Sequence, residues 1–307
     1  MNGILNIYKE QNFTSNDVVA KLRGICHMKK IGHTGTLDPM ATGVLPVCLG
    51  SATKLCDMLT DHDKVYKATL LLGMVSDTQD IWGKVTQCSY AAGAKDYTSL
   101  TEDKIREAIA GFVGEYDQIP PMYSAKKING QKLYDLARSG ITVERKPSRV
   151  RIYSIDINEI KLPRITMTVC CGKGTYIRTL CNDIGERLGC GGLMETLTRL
   201  RVGQFKADGA ITLARAQEYM DAGTLEEHII PVDEFFNDCP ALRLNAKLDK
   251  AVHNGNPLPK EIAGDGAGKS PCAGIKFRIY DSAGSFAGVY EYNEQKRMLM
   301  PYKMFLT

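Results

Sequence analysis

The stretch Gly32-His33-Thr34-Gly35-Thr36-Leu37-Asp38-Pro39-Met40-Ala41-Thr42-Gly43-Val44-Leu45-Pro46 decides how the rest of the chain is read. It is dense in turn formers and nearly chargeless, with a single carboxylate at Asp38. Its glycines permit backbone angles and close approaches that side chains forbid, and Pro39 biases Asp38 toward an extended conformation. Such a loop holds one acid in a fixed pose. Taken alone, an Asp-Pro in a Gly/Thr-rich loop is equally compatible with a turn in which the carboxylate bonds only its own backbone.

Working outward, the 307 residues suffice for a large core and suggest one large domain plus a small one. Hydrophobic content of 44% and charged content of 24% are those of a globular protein, not of a disordered or fibrous one. The ten cysteines form no CxxC pair, and the adjacent Cys170-Cys171 sits in a strand-like run. Neither a zinc site nor a disulfide framework is indicated, and reduced thiols fit a cytosolic protein. The N-terminal apolar run is short for a signal peptide, and no run approaches the roughly 18 apolar residues of a membrane span. The expectation is a cytoplasmic protein without membrane contact.

Net charge is +4, unevenly spread. Between Ile119 and Arg151 stand eight basic residues (Lys126, Lys127, Lys132, Arg138, Arg145, Lys146, Arg149, Arg151) against Asp135 and Glu144, a local balance of +6. With Tyr123 and Tyr134 interleaved, this is the pattern of phosphate contacts combined with base stacking, although a solvated lysine-rich loop would look alike.

The flanking segments carry clear periodicities. A helix is expected over 14–30, with Thr14 or Ser15 as N-cap and Val18, Leu22 and Ile25 as its apolar stripe. Asp61-His62-Asp63 reads as a solvated turn and not a metal site, because adjacent ligand types diverge along an extended chain. From Val65, period two puts Tyr66, Ala68, Leu70 and Leu72 on one buried face. Helices follow over 101–112 and 131–139, then strands over 149–160 and 164–171. A further helix over 175–188 carries Tyr176, Leu180, Ile184 and Leu188. Arg178 lies about 200° from Tyr176 around that helix, and as a first-turn cation it calls for an acidic partner. Leu193, Leu197 and Leu200 suggest one more helix. Beyond about Pro240, short strands over 241–246, 274–280, 285–292 and 297–305 suggest a small β-barrel. The run from Ala263 to Ser270 almost spells a phosphate-binding loop but lacks its first glycine and a following helix, and Gly172-Lys173-Gly174 is too short for a dinucleotide fingerprint.

Four stretches in order carry a family resemblance: Lys30-Ile31 with the opening loop; Lys64-Val65-Tyr66-Lys67 with Asp77-Thr78-Gln79-Asp80; Ile119-Pro120-Pro121-Met122-Tyr123-Ser124-Ala125; and Gly174-Thr175-Tyr176-Ile177-Arg178-Thr179-Leu180. Together they resemble the TruB-type pseudouridine synthases over roughly residues 3 to 235. Two departures stand out: Lys9-Glu10-Gln11-Asn12-Phe13-Thr14-Ser15 lacks the proline and glycine usual there, and Trp82 occupies a position that is usually polar.

The resemblance implies an α+β fold, a mixed and mostly antiparallel sheet flanked by helices, with a small C-terminal β-barrel-like domain. It implies a catalytic domain over 1–238, with a basic thumb-like insertion over 119–151, and an RNA-binding PUA-like domain over 239–307. Asp38 would be the catalytic carboxylate, paired with Arg178, which would lower its pKa and hold it ionised. Tyr66 would stack on the target uracil and assist proton removal, His33 would pack into the RNA loop, and Tyr176 and Leu197 would wall the uridine pocket. Lys126, Lys127, Lys132 and Asp80 would be RNA-contacting candidates. The implied substrate is the T-loop uridine of tRNA, conventionally position 55, with a stand-alone monomer acting and with no metal, nucleotide or other cofactor.

The chemistry is economical in residues. Uridine becomes pseudouridine when the N1–C1′ bond breaks, the base turns, C5 joins C1′ and the C5 proton leaves, so nothing is oxidised and no energy source is consumed. Asp38 could attack C1′, add to C6, or take a ribose proton, and all three routes need the base out of its stack. Two other readings stand beside this one: an RNA-binding or tRNA-folding module with catalysis secondary, and a glycosylase that releases uracil.

Overall fold

A computed structural model of the chain describes residues 1–88, 96–124, 126–128, 130–263 and 274–306, with the side chains of Lys127 and Lys132 left out. Ala125 and most of the run likened to a phosphate-binding loop, 264–270, lie outside the described residues.

The fold is α+β. Its main sheet has ten strands among the described residues, and eight of them lie in the spatial order Ile229–Ile230, Gly3–Lys9, Thr42–Leu49, Gly192–Val202, Lys64–Leu72, Arg164–Cys171, Ser148–Lys161, Gly114–Gln118. Ile31–His33 and Phe205–Lys206 pair at its flanks. Every pairing is antiparallel except one: Thr42 and Gly43 run parallel to Thr198 and Arg199. The Gly3–Lys9 and Thr42–Leu49 strands are buried on both faces, whereas Lys67 and Thr196 on the two strands beside them are exposed. Along Gly3–Lys9 and Thr42–Leu49 the pleat sends Leu5, Ile7, Leu45 and Val47 into one core and Ile4, Val44 and Cys48 into another.

Helices seal these cores. Ser15–Ile25 and Leu213–Asp221 pack on the Leu5/Val47 side. Glu102–Ala110 and Ile177–Leu188 close the largest core, which also holds Tyr66, Met167, Met194 and Leu197. A second, five-stranded sheet lies in the order Ala241–Arg243, Lys276–Tyr280, Phe286–Asn293, Met298–Met304, Leu258–Pro259. Its Val289 and the nearby Phe305 pack with Ile4 and Phe236, and Lys54 donates to the Met304 carbonyl at 2.7 Å, joining the two sheets.

Several elements differ from the sequence reading. Leu193, Leu197 and Leu200 lie on the central Gly192–Val202 strand and not on a helix. Their helical spacing is an accident of two register shifts, between Met194 and Thr196 and between Arg199 and Arg201, which break the period-two pattern. The β-branched Thr196 and Thr198 favour the strand. The first helix stops at Ile25, short of Lys29-Lys30, because His27 takes a positive φ of 50° that turns the chain away. Gln131-Lys132 belongs to a hairpin with Lys127–Ile128, so the helix there is only Leu133–Arg138. Residues 241–246 divide into the Ala241–Arg243 strand and the start of a helix, Ala246–His253. Among the described residues no helix is long and apolar enough to cross a membrane, and no three His, Cys, Asp or Glu side chains converge to hold a metal.

Candidate active site

Asp38 sits in the turn that joins the Ile31–His33 and Thr42–Leu49 strands. That turn is held from outside by two buried cations. Lys9 donates its ammonium to the carbonyls of Phe13, Pro39 and Glu10 at 2.7, 3.0 and 3.0 Å. Arg199 donates Nε to the Val44 carbonyl at 2.7 Å and Nη2 to the Gly35 carbonyl at 3.2 Å, so one guanidinium clasps both ends of the loop. Ser15 accepts the Leu37 N–H at 2.9 Å, and Thr14 and Asp17 form a reciprocal capping box at the same helix start. The first helix thereby presents the loop. At Gly43, φ is +107° and a Cβ would fall 2.1 Å from the Arg199 carbonyl oxygen, so only glycine lets these two strands meet.

Across from the loop, Arg178 enters from the first turn of the Ile177–Leu188 helix. Its Nε lies 3.0 Å from Asp38 Oδ2, and Nη2 donates to Asp38 Oδ1 at 3.2 Å. Nη2 also donates to the Tyr123 carbonyl at 2.8 Å, and Nη1 to the Thr78 carbonyl at 3.0 Å and Asp80 Oδ2 at 3.5 Å. The arginine side chain is 5% exposed, whereas that of Asp38 is 35% exposed. The pair is therefore anchored on its cationic side and open on its anionic side.

The electrostatics correct one expectation. Loss of water around the Asp38 carboxyl pushes its pKa above the usual carboxylate value, and the Arg178 guanidinium pulls it back without prevailing. Asp80 adds a smaller upward push. Burial likewise raises Tyr66, with Arg199 opposing, and lowers His33. Lys9 falls to about 8 through burial, partly offset by Asp38.

The other residues singled out from sequence fall into three groups. Tyr66 and Leu197 are buried in one cluster with Leu37, Ala41 and Ile177, and Tyr66 stands opposite Arg199 across the strand pair. Tyr176, half-buried, is the N-cap of the Arg178 helix and not part of its stripe. His33 ends its short strand half-buried, and its Nδ1 accepts the Gly35 N–H at 3.3 Å. It borders a hollow of about 560 Å³ lined by Asn16, Arg23, Lys29, Lys30 and Thr53. Lys126 is exposed and bonds the Ser148 hydroxyl, while the side chains of Lys127 and Lys132 lie outside the described residues. Asp80 is not an RNA-contacting surface group. It is 8% exposed, faces Arg178, and accepts from the Thr78 hydroxyl at 2.6 Å and the Trp82 N–H at 3.1 Å. Trp82 itself is 41% exposed.

Sequence reasoning missed Lys9 and Arg199. Each is a fully buried cation on a strand of the main sheet, and a buried charge demands partners. That pairing demand is the one signal that could have flagged them.

A family model described as the TruB family pseudouridylate synthase N-terminal domain matches residues 23–177, and one described as the tRNA pseudouridylate synthase B C-terminal domain matches 178–237. The chain is 48% identical to the tRNA pseudouridine synthase B of Lachnoclostridium phytofermentans, covering 100% of both chains. It is 43% identical to that of Clostridium perfringens strain 13, covering 96% of each, and 40% identical to that of Geobacter sulfurreducens, covering 98% of this chain and 99% of the relative. Among solved structures, an H/ACA RNP bound to a substrate RNA containing 2'-deoxyuridine is similar at a TM-score of 0.68 and 25% identity, covering 99% of this chain and 85% of that one. A match of this extent, with the loop, the aspartate and its arginine in place, assigns the family: the chain belongs to the TruB family of pseudouridylate synthases.

Proposed function

We propose that this chain isomerises uridine to pseudouridine in tRNA, at the T-loop position conventionally numbered 55, with Asp38 as the essential carboxylate. The observation that carries the reading is the Asp38–Arg178 pair: a carboxylate gripped at both oxygens by a buried guanidinium, with one side left open for a base. Identity of 40–48% to relatives named tRNA pseudouridine synthase B supports the same substrate class.

In this reading the T-loop uridine leaves its stack, at a cost of a few kcal/mol that a loop target reduces. It lies against Tyr66, with Tyr176 and Leu197 as walls. His33 fills the gap the base leaves in the RNA. Arg178 opposes the upward pull of burial on the Asp38 pKa and aims the carboxylate while the N1–C1′ bond breaks. The base then turns so that C5 can join C1′, and Tyr66 assists departure of the C5 proton. The basic segment 119–151 grips the T-arm backbone, and residues 239–307 form a PUA-like unit that adds RNA contacts. No cofactor takes part. The enzyme works as a stand-alone monomer in the cytoplasm. A module that only binds or folds tRNA would have no use for two buried cations clasping one acid-bearing loop, which disfavours that alternative.

The test is incubation with an unmodified tRNA transcript and no additives, followed by mapping of pseudouridine. Wild-type protein should modify the T-loop uridine, and Asp38→Asn should bind tRNA yet make no product. Product from Asp38→Asn, or free uracil and an abasic RNA from wild type, would sink the proposal.

A further inference from the structure

Gln118 ends the Gly114–Gln118 edge strand and is 1% exposed. Its side-chain amide faces one residue on another element. Oε1 accepts the Tyr176 N–H at 2.8 Å, and Nε2 donates to the Tyr176 carbonyl at 3.0 Å. A single amide thus bonds both backbone groups of Tyr176 as a neighbouring strand would. Nε2 also donates to the Tyr116 hydroxyl, which fixes the amide's orientation from behind.

Tyr176 is a telling place for such a contact. It is the N-cap of the Arg178 helix, extended at φ −99° and ψ 111°, and has no side-chain cap of its own. Its carbonyl also accepts the Leu180 N–H at 3.1 Å, the bond that opens the helix. Gln118 therefore supplies from another strand the fixing that Ser, Thr, Asp or Asn would give locally. In the other direction the chain leaves Gln118 through Ile119 and reaches Tyr123, whose carbonyl accepts from Arg178 Nη2 at 2.8 Å. The two ends of this short segment both bear on the arginine.

We infer that Gln118 is a positioning residue: its amide sets the backbone of Tyr176, and through it the approach of Arg178 to Asp38, while rooting the basic 119–151 segment against the same helix. The inference rests on the proposed function for its readout. It needs an acceptor and a donor on one rigid planar group. Leucine offers neither, and an ionised carboxyl keeps the acceptor but loses the donor.

The experiment compares Gln118→Leu and Gln118→Glu with wild type on unmodified tRNA, measuring kcat, KM, filter-binding affinity and melting temperature across pH. Gln118→Leu should lower kcat by about tenfold to a hundredfold, the scale of a misplaced catalytic group, with a smaller loss of tRNA affinity from the unrooted basic segment. The acid limb of its kcat profile should move to higher pH, because Asp38 loses support from a displaced Arg178. For Gln118→Glu, activity relative to wild type should rise as pH falls, since the protonated carboxyl regains a donor. A purely structural role predicts a lower melting temperature with unshifted pH profiles, and that result overturns the inference, as does undiminished kcat in Gln118→Leu. Should Gln118→Leu fail to fold, the pH-dependent ratio of Gln118→Glu decides alone. Wild-type protein that makes no pseudouridine would instead overturn the proposed function.

Discussion

Arg178 touches both carboxylate oxygens of Asp38, Nε to Oδ2 at 3.0 Å and Nη2 to Oδ1 at 3.2 Å, and turns its remaining nitrogen toward Asp80 and the Thr78 carbonyl. A two-point contact fixes the plane of the carboxyl as well as its distance. The groups that hold the arginine are thus as consequential as the arginine itself.

Asp80→Asn removes the second anion facing Arg178 at almost no change of shape. Loss of that anchor should lower kcat by about tenfold to a hundredfold with tRNA affinity unchanged. Removing the Asp80 charge also takes away its upward push on the Asp38 pKa, so an acid limb moved to lower pH reports the lost anion alone, whereas one moved to higher pH reports a displaced Arg178. Steady-state kinetics over pH check both; unchanged kcat would show that the Tyr123 and Thr78 carbonyls suffice.

Lys9 gives a pH signature in stability. Its pKa falls from 10.5 to about 8 on folding, so between those values the unfolded chain holds a proton that the folded one has released. Stability then gains with pH across that window. Lys9→Met should abolish this gain, seen as a flatter denaturation midpoint between pH 8 and 10.5. It also leaves three carbonyls without their donor, at a cost of about 1–3 kcal/mol. An unchanged slope would contradict the assignment.

Gly43→Ala places a Cβ 2.1 Å from the Arg199 carbonyl oxygen at a φ of +107°. The parallel junction must then part, by strain worth at least about 1–3 kcal/mol. The expected outcome is a lowered melting temperature together with lost activity, because the Asp38 loop ends at this junction. Full activity at an unchanged melting temperature would rule out a rigid clasp.

Lys126→Glu tests the basic segment. Lys126 is exposed and bonded to the Ser148 hydroxyl, and its reversal should weaken tRNA binding and reduce the slope of log affinity against log salt by about one. At saturating tRNA, kcat should stay near wild type. Filter binding at several salt concentrations decides.

The acid-bearing loop, the arginine, three strands of the main sheet and the strand-rich C-terminal region were legible in the sequence, because turn chemistry, periodicity and a long specific motif act locally. What escaped depended on distant partners. Lys9 and Arg199 look like ordinary surface cations until the carbonyls of Pro39, Gly35 and Val44 arrive beside them. Leu197 seemed helical because bulges on its strand are set by the neighbours it pairs with. Asp80 reads as an RNA-contacting candidate until Arg178 stands beside it. The direction of the Asp38 pKa shift, too, is a sum of burial and pairing that no local pattern reveals.

The parallel seam between Thr42-Gly43 and Thr198-Arg199 has a consequence for synthesis on the ribosome. A chain grows from its N-terminus, so the segment bearing Asp38 emerges long before the residue that clasps it, and contacts so far apart in sequence form late. On the proposed function, a nascent or truncated product ending before Arg199 would carry the basic 119–151 segment without the guanidinium that clasps the catalytic turn. Such fragments would capture RNA without altering it, and competence for chemistry would arrive in one step when the last inner strand slots into the sheet.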